Sequence, residues 1–240
     1  MGVTDAGIVD VPFSTLADTV LERLTATYAA AADPERAGPM QAYMKDVAPF
    51  LGLTTPVRRA LSRTVVEGLS RPDEADCTAI ALRCWQLPER EYHYFAVDHL
   101  RRHARACSSG FLPVARHLVT TVSWWDTVDA LAAHTVGALV AADPKLTADM
   151  DLWIVDDDLW VARTALLHQL RYKERTDTER LFSYCLHQSG HPDFFVRKAI
   201  GWCLREYAKT DPEAVRAFLA RERGRFAPLS VREALKNIGA

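Results

Sequence analysis

Bulky apolar pairs and aspartates recur at a spacing of 34 or 35 residues in the second half of this chain. The apolar pairs are Trp124-Trp125, Leu159-Trp160 and Phe194-Phe195. The aspartates are Asp143, Asp177 and Asp211, each followed by Pro or Thr. One such period holds two helices of moderate length and their turns. The repeat therefore predicts a solenoid in which each helical pair buries its apolar face on the next.

Helical periodicity extends over nearly every segment after Phe13. Leu16, Val20, Leu24 and Tyr28 fall on one helical face, prolines cut the chain into helix-sized segments, and alternating strand patterns are absent. We predict an all-α fold, a curved right-handed solenoid of about six HEAT-like antiparallel helix pairs with a concave binding face. Residues 1–12 are expected to form a flexible arm and residues 13–240 a single domain.

The formal charge of -2 conceals an uneven distribution. Residues 197–240 contain ten Lys or Arg and five Asp or Glu, so this end carries +5 and the remainder -7. Such an end can present a basic face to phosphate, although a solvated helix surface has the same composition.

The sequence also indicates in which cellular compartment the protein works. No apolar run approaches the roughly 20 residues of a membrane helix, and the first residues lack the basic head and apolar stretch of a signal peptide. The five cysteines are widely spread without a Cys-x-x-Cys pair, which is typical of a reducing compartment. We expect a cytoplasmic protein associated with the nucleoid.

Familiar catalytic motifs are absent from the chain, including nucleotide-binding loops, the serine hydrolase elbow and the zinc protease motif. His99, His103 and Cys107 are spaced i, i+4, i+8 and could line one helical face as metal ligands. A zinc site needs a further ligand, and ordinary packing is the favoured alternative. No metal and no cofactor are expected.

The stretch from Ser123 to Asp129, Ser-Trp-Trp-Asp-Thr-Val-Asp, is the most unusual in the chain. Trp125 and Asp129 are four residues apart on a helix and so project together. Ser123 is predicted to cap that helix, with Asp126 completing a capping box. This leaves Asp129 without an evident structural partner. Because adjacent side chains lie about 100° apart, one tryptophan can enter the core while the other lies on a surface.

Cationic side chains follow one and two periods later. Arg163 comes shortly after Trp160, Lys198 and Trp202 share a helical face, and Arg205 lies close to that face. Aromatic faces attract cations and cationic side chains attract phosphates. A strip of these residues would suit a ligand with a phosphate backbone and a locally positive centre, whereas core packing is the usual alternative for aromatic residues at this spacing.

Several stretches together resemble the AlkD-type bacterial DNA alkylation-repair glycosylases, which are built from HEAT-like repeats. The matching stretches are Pro39-Met-Gln-Ala-Tyr43-Met-Lys45, Phe50-Leu-Gly-Leu with Thr55-Pro-x-Arg58-Arg59, Trp85-Gln-Leu-Pro-Glu-Arg-Glu91, Ser123-Trp-Trp-Asp-Thr-Val-Asp129, Trp160-Val-Ala-Arg163, Lys198-Ala-Ile-Gly-Trp-Cys-Leu-Arg-Glu-Tyr-Ala-Lys209 and Ala227-Pro-Leu-Ser-x-Arg-Glu-Ala234. They run in order and at family-like spacing from about Leu16 to the C-terminus.

The resemblance implies a catalytic Asp129 paired with Trp125, and lesion-facing or DNA-contacting roles for Tyr43, Arg163 and Trp202. Further expected DNA contacts are Lys45, Lys198 and Arg205. The implied reaction is hydrolysis of the N-glycosidic bond of a cationic N3- or N7-alkylated purine in double-stranded DNA, without a closed base pocket. A site without a closed pocket is compatible with purines that carry bulky adducts. The protein could therefore protect its host against a DNA-alkylating metabolite. The chain is expected to act as a monomer without an obligatory protein partner.

Two other functions are compatible with a helical solenoid. A non-catalytic HEAT-like protein that binds damaged or bent DNA needs the basic face but not Asp129. A scaffold that binds a helical peptide, the generic use of such solenoids, would not be retained on DNA.

Overall fold

The structure, a computed structural model, describes residues 10–222 and 224–236. Within those ranges the regular elements are helices and no strand is present, which confirms the all-α prediction. The α-helices are α1 Thr15–Ala30, α2 Pro34–Tyr43, α3 Thr55–Val66, α4 Glu74–Gln86, α5 Arg90–His103, α6 Leu112–Thr120, α7 Trp125–Ala130, α8 Gly137–Ala142, α9 Thr147–Trp153, α10 Leu159–Leu167, α11 Thr178–His187, α12 Phe194–Tyr207, α13 Pro212–Arg221 and α14 Pro228–Ala234.

Most of the arm predicted for residues 1–12, residues 1–9, lies outside the described residues. Among the helices of the described ranges, none combines the length and apolar character that a bilayer crossing requires.

Aspartates mark the starts of helices in the second half of the chain. Their carboxylates accept a backbone N–H of the first turn at donor–acceptor distances of 2.6 to 3.1 Å. These caps are Asp143, Asp158, Asp177, Asp193 and Asp211. A capping side chain stabilises a helix by about 1 kcal/mol. The repeat of aspartates in the sequence is therefore the repeat of helix starts.

The chain forms two compact units, residues 1–122 and residues 123–240. In the first unit, α1 packs on α3 and α4, and α4 packs on α5. Tyr28 of α1 stacks on Tyr92 of α5 with 5.7 Å between ring centroids. Val20, Leu24 and Tyr28 are buried, so the apolar face predicted for this helix is the face that enters the core.

A buried carboxylate fixes the segment between α2 and α3. Glu91 of α5 accepts the backbone N–H groups of Leu51, Gly52 and Leu53 at 2.9 to 3.0 Å. Gly52 has φ +87°, and a Cβ there would lie 2.1 Å from the carbonyl oxygen of Asp33. Only glycine meets both conditions, so Glu91 and Gly52 together set the path of this segment.

In the second unit the helices stack in two rows. One row runs from α7 and α8 through α10 and α12 to α14. The other runs from α9 through α11 to α13, where Tyr184 donates to Asp151 at 2.6 Å and the rings of Phe182 and Phe218 stack 4.1 Å apart. Gly201 lets α12 approach α14 closely, since a Cβ there would meet the Cβ of Glu233 at 2.4 Å. This is the stacking of helical pairs that the sequence period predicts.

Replacement of Glu91 by Gln is expected to destabilise the first unit by about 2–4 kcal/mol, because an amide NH₂ would face a backbone N–H that the carboxylate now accepts. Urea denaturation followed by circular dichroism measures the change. Glu89→Gln is the matched control: it removes the same charge two residues away, where the side chain caps no helix. Equal stabilities of the two variants would contradict the structural role of Glu91.

Candidate active site

A surface cleft of about 390 Å³ lies in the second unit. It is lined by Trp125, Asp126 and Asp129 of α7, by Ala130, Ala133 and His134, by Leu170 and Arg171, and by Trp202 and Glu206 of α12. The structure thus places three predicted site residues, Trp125, Asp129 and Trp202, around one cleft. Two partly exposed indoles and a carboxylate form its chemically distinctive part.

The start of α7 separates the two adjacent tryptophans. The ring of Trp124 packs against those of Trp160 and Phe195, with centroids 5.7 and 4.9 Å away, whereas Trp125 lines the cleft. The aromatic residues that recur along the sequence therefore meet in one cluster. This cluster joins three successive repeats. Trp125 is not part of the cluster and lines the cleft.

The predicted capping box at Ser123 is wrong. Trp124 occupies the N-cap position with extended backbone and without a side-chain cap. Its carbonyl accepts the N–H groups of Thr127 and Val128, so the N-cap lies one residue later than predicted. Asp126 instead accepts the N–H of Thr127 at 3.0 Å.

The helix that carries Asp129 contains a π-helical turn. It covers Leu131–Val136, between α7 and α8, and π-turns are frequent at functional sites. A Cβ at Gly137, just after this turn, would lie 2.2 Å from the carbonyl oxygen of His168. Tyr172 donates to the Gly137 carbonyl at 2.7 Å. The widened turn is thus held by close packing on the segment after α10.

Asp129 forms a two-point ion pair with Arg163, contrary to the expectation that it has no structural partner. Nε of Arg163 lies 2.7 Å from Oδ1 and Nη2 lies 2.9 Å from Oδ2. The side chain of Asp129 is 15% exposed and that of Arg163 is 5% exposed. Such a planar fork fixes the orientation of the carboxylate.

Arg163 also donates through Nη1 to the carbonyl oxygen of Phe195 at the start of α12. One guanidinium therefore contacts α7 and α12 from its place on α10. This differs from the predicted contact between Arg163 and a DNA phosphate, because the side chain is buried and each of its three nitrogens already donates a hydrogen bond within the fold. The geometry gives it the position of a residue that orients Asp129.

Burial raises the pKa of Asp129 above its ordinary value of 3.8, and the nearby charge of Asp126 acts in the same direction. The hydrogen bonds and the charge of Arg163 oppose that rise. The carboxylate is therefore a stronger base than a solvated one, while its bound guanidinium favours the ionised form.

Lys198 and Arg205 of α12, which were predicted to contact DNA phosphates, form ion pairs with a carboxylate of the protein itself. Glu233 of α14 is buried and accepts Lys198 at 3.0 Å, Arg205 at 2.8 Å and Lys236 at 2.6 Å. Although burial by itself would raise it, these three cations lower the pKa of Glu233 to about 2. Three cations around one carboxylate leave a net charge of +2 on a partly exposed surface.

Two further predicted contacts belong to the first unit. Tyr43, the last residue of α2, is 72% exposed. Lys45 and Asp46 follow with φ +59° and +56°, a left-handed conformation that is unfavourable for non-glycine residues. The turn after α2 thus presents an aromatic ring and an exposed ammonium group.

Apart from Asp126, to which the sequence assigned a capping role, three ionisable cleft residues were not predicted, namely His134, Arg171 and Glu206. Glu206 had a detectable signal, because it follows Trp202 by four residues as Asp129 follows Trp125. His134 lies within the π-turn and Arg171 in the segment after α10. In neither place does α-helical spacing predict which way a side chain points.

The three side chains at metal-ligand spacing, His99, His103 and Cys107, do not form a metal site in the structure. His99 and His103 lie with ring centroids 4.7 Å apart, and Cys107, which follows α5, is buried. Within residues 10–222 and 224–236, no group of three His, Cys, Asp or Glu side chains is arranged to hold a metal ion.

Comparisons with known proteins agree with this architecture. The chain matches the family described as DNA alkylation repair enzyme over residues 24–238. It is similar to the solved structure of a predicted DNA alkylation repair enzyme from Enterococcus faecalis, with 31% sequence identity and a TM-score of 0.79. That similarity covers 86% of this chain and 96% of the other. No curated protein matches the chain. The chain belongs to the DNA alkylation repair enzyme family.

Proposed function

We propose that this protein is a monofunctional DNA glycosylase that hydrolyses the N-glycosidic bond of cationic N3- or N7-alkylated purines in double-stranded DNA. The observation that carries the proposal is the carboxylate of Asp129, held by Arg163 beside two indole faces in one cleft. In this proposal the enzyme acts as a monomer on nucleoid DNA in the cytoplasm, and it uses neither a metal nor a cofactor.

The alkylated purine is positively charged and therefore a good leaving group. When the bond between C1′ and the purine nitrogen breaks, its electron pair neutralises the base and leaves an oxocarbenium-like sugar, as in glycoside hydrolysis. The Asp129 carboxylate stabilises this positive charge. A water oxygen then bonds to C1′, and Asp129 accepts the proton that the water loses.

The walls of the cleft support the same charge distribution. The ring faces of Trp125 and Trp202 attract a cation and offer apolar surface to a deoxyribose. Asp126 and Glu206 add negative charge around the same cleft. A cationic nucleotide is therefore favoured over a neutral one before any bond is broken.

We assign DNA contacts to exposed or partly exposed side chains rather than to Arg163. These are Tyr43, Lys45, Lys198 and Arg205. Cationic contacts to phosphate fix the position of a protein on DNA without reading its sequence. This is suited to an enzyme whose target is a damaged base in any sequence.

Asp129→Asn is expected to abolish most release of N7-methylguanine and N3-methyladenine from duplex DNA, at least about 10²-fold, because the neutral amide neither stabilises the sugar cation nor accepts a proton. Free base is measured by chromatography against a no-enzyme sample, and DNA binding by fluorescence anisotropy.

The matched control is Asp126→Asn, which removes a second carboxylate from the same helix and cleft and is expected to have a much smaller effect. Equal turnover by Asp129→Asn and the unmodified protein would refute the catalytic role. Absence of base release from the unmodified protein, with DNA binding intact, would favour the non-catalytic damage binder.

Arg163→Lys is expected to lower the rate of base release by up to about 10²-fold, since a single ammonium group cannot hold the carboxylate of Asp129 by two parallel bonds. It also weakens the hydrogen bonding that opposes the raised pKa of Asp129. The acid limb of the rate profile, where Asp129 becomes protonated, should therefore move to higher pH. A slower enzyme with an unmoved acid limb would contradict this positioning role.

The cleft is open to solvent, so we propose that it also tolerates purines with bulky N3 or N7 substituents. The expected result is release of a bulky adduct faster than its spontaneous loss, at a rate lost in Asp129→Asn. Self-protection against a DNA-alkylating metabolite requires this activity. A rate equal to spontaneous loss would eliminate the self-protection role and leave general repair.

A further inference from the structure

A second cavity, of about 220 Å³, lies between α3 and α5 in the first unit. Arg59 and Arg63 of α3 and Arg102 of α5 contribute its cationic lining. Val66 and Phe95 contribute apolar surface beside them. None of these residues is part of the cleft described above, which belongs to residues 123–240.

The three arginines are exposed, and they form no hydrogen bond or ion pair with any residue in the described part of the chain. Their neighbour Arg58 behaves differently. It is buried, pairs with Asp98 at 2.9 Å and lies with its guanidinium carbon 5.2 Å from the ring centroid of Tyr94. Because Arg58 neutralises Asp98, the acidic side chain that lines this cavity, the lining retains a charge of about +3.

This arrangement works against the stability of the free protein. Arg59 and Arg63 are one helical turn apart, and like charges at that spacing repel one another. The pKa of His103, which also lines the cavity, is lowered by burial and by the charges of Arg102 and Arg71. His99 also lines the cavity, although its Nε2 is buried. Three exposed guanidinium groups without a carboxylate partner provide the unused donors that an anion requires.

We propose that the α3–α5 cavity binds a phosphate group of the DNA backbone through Arg59, Arg63 and Arg102. A guanidinium offers paired N–H donors that match two phosphate oxygens, and three arginines from two helices can surround one tetrahedral anion. The assignment to DNA rather than to free phosphate or an acidic peptide rests on the proposed function. The charge distribution along the sequence does not reveal this site, because the three arginines lie in the part of the chain whose net charge is -7.

The test compares Arg102→Gln with Arg101→Gln. Both side chains are exposed and adjacent on α5, but only Arg102 lines the cavity. Binding to an unmodified fluorescent duplex is measured by anisotropy at several salt concentrations. Arg102→Gln should weaken binding by roughly three- to tenfold. One phosphate contributes only about 0.9 to the slope of log affinity against log salt, so Arg102→Gln should flatten that slope by part of this amount. The double variant Arg59→Gln with Arg63→Gln should flatten it by more than Arg102→Gln but by no more than about 0.9, whereas Arg101→Gln should leave it nearly unchanged.

The outcomes separate this site from the proposed reaction. If Arg102→Gln and Arg101→Gln have the same salt slope, the phosphate site is refuted, whatever the enzyme does to a methylated purine. If Arg102→Gln alone flattens the slope but the unmodified protein releases no base, the site stands and the glycosylase proposal fails.

Two further arms identify the source of the anion. Inorganic phosphate and a polyglutamate peptide are each titrated at constant ionic strength against both variants and the unmodified protein. Binding of either probe that depends on Arg102, with DNA affinity unchanged, would overturn the assignment to DNA. Weak binding of both probes beside an Arg102-dependent loss of DNA affinity would support it.

Discussion

The guanidinium of Arg163 is the interaction on which the cleft depends. From α10 it binds both carboxylate oxygens of Asp129 on α7 and the carbonyl oxygen of Phe195 on α12. An isolated buried carboxylate or guanidinium would each cost several kcal/mol, so neither is stable there without the other. The pair therefore couples the stacking of α7, α10 and α12 to the orientation of the Asp129 carboxylate in the cleft lined by Trp125 and Trp202. The carboxylate oxygens of Asp129 thus take part both in the ion pair that stabilises the fold and in the proposed reaction.

Close approach of helices makes this interaction geometrically accessible. Gly137 and Gly201 lie where any Cβ would collide with a neighbouring helix or with the residue that ends it. Aspartate caps start the helices at regular intervals, and the rings of Trp124, Trp160 and Phe195 fill the space between those starts. Residues 34 to 36 positions apart thus become neighbours in space. The same spacing separates Asp129 from Arg163, which is why the ion pair can form at all.

Charge is used in two distinct ways along the chain. Lys198, Arg205 and Lys236 surround the buried carboxylate of Glu233, so much of their charge stabilises the packing of α12 on α14. Arg59, Arg63 and Arg102 have no such partner among the described residues. Net charge counts both sets alike, although only the second is wholly available to a ligand. The basic composition of the C-terminal end therefore overstates the positive charge that is available there to a ligand. The rest of the chain has a negative net charge but contains a local cationic cavity.

The sequence by itself determined the helical class, the repeat, the capping aspartates and the common face of Trp125 and Asp129, because these depend on contacts within one or two helical turns. Trp202, which the family resemblance implies to be lesion-facing, lines the same cleft in the structure. Only the tertiary structure decided that Arg163 binds Asp129, that Trp124 rather than Ser123 is the N-cap residue of α7, and that Glu233 engages Lys198 and Arg205. The cavity between α3 and α5 likewise required it. The physical reason is that a charged side chain selects its partner by distance and burial across helices that lie about 30 or more residues apart, which local periodicity does not specify.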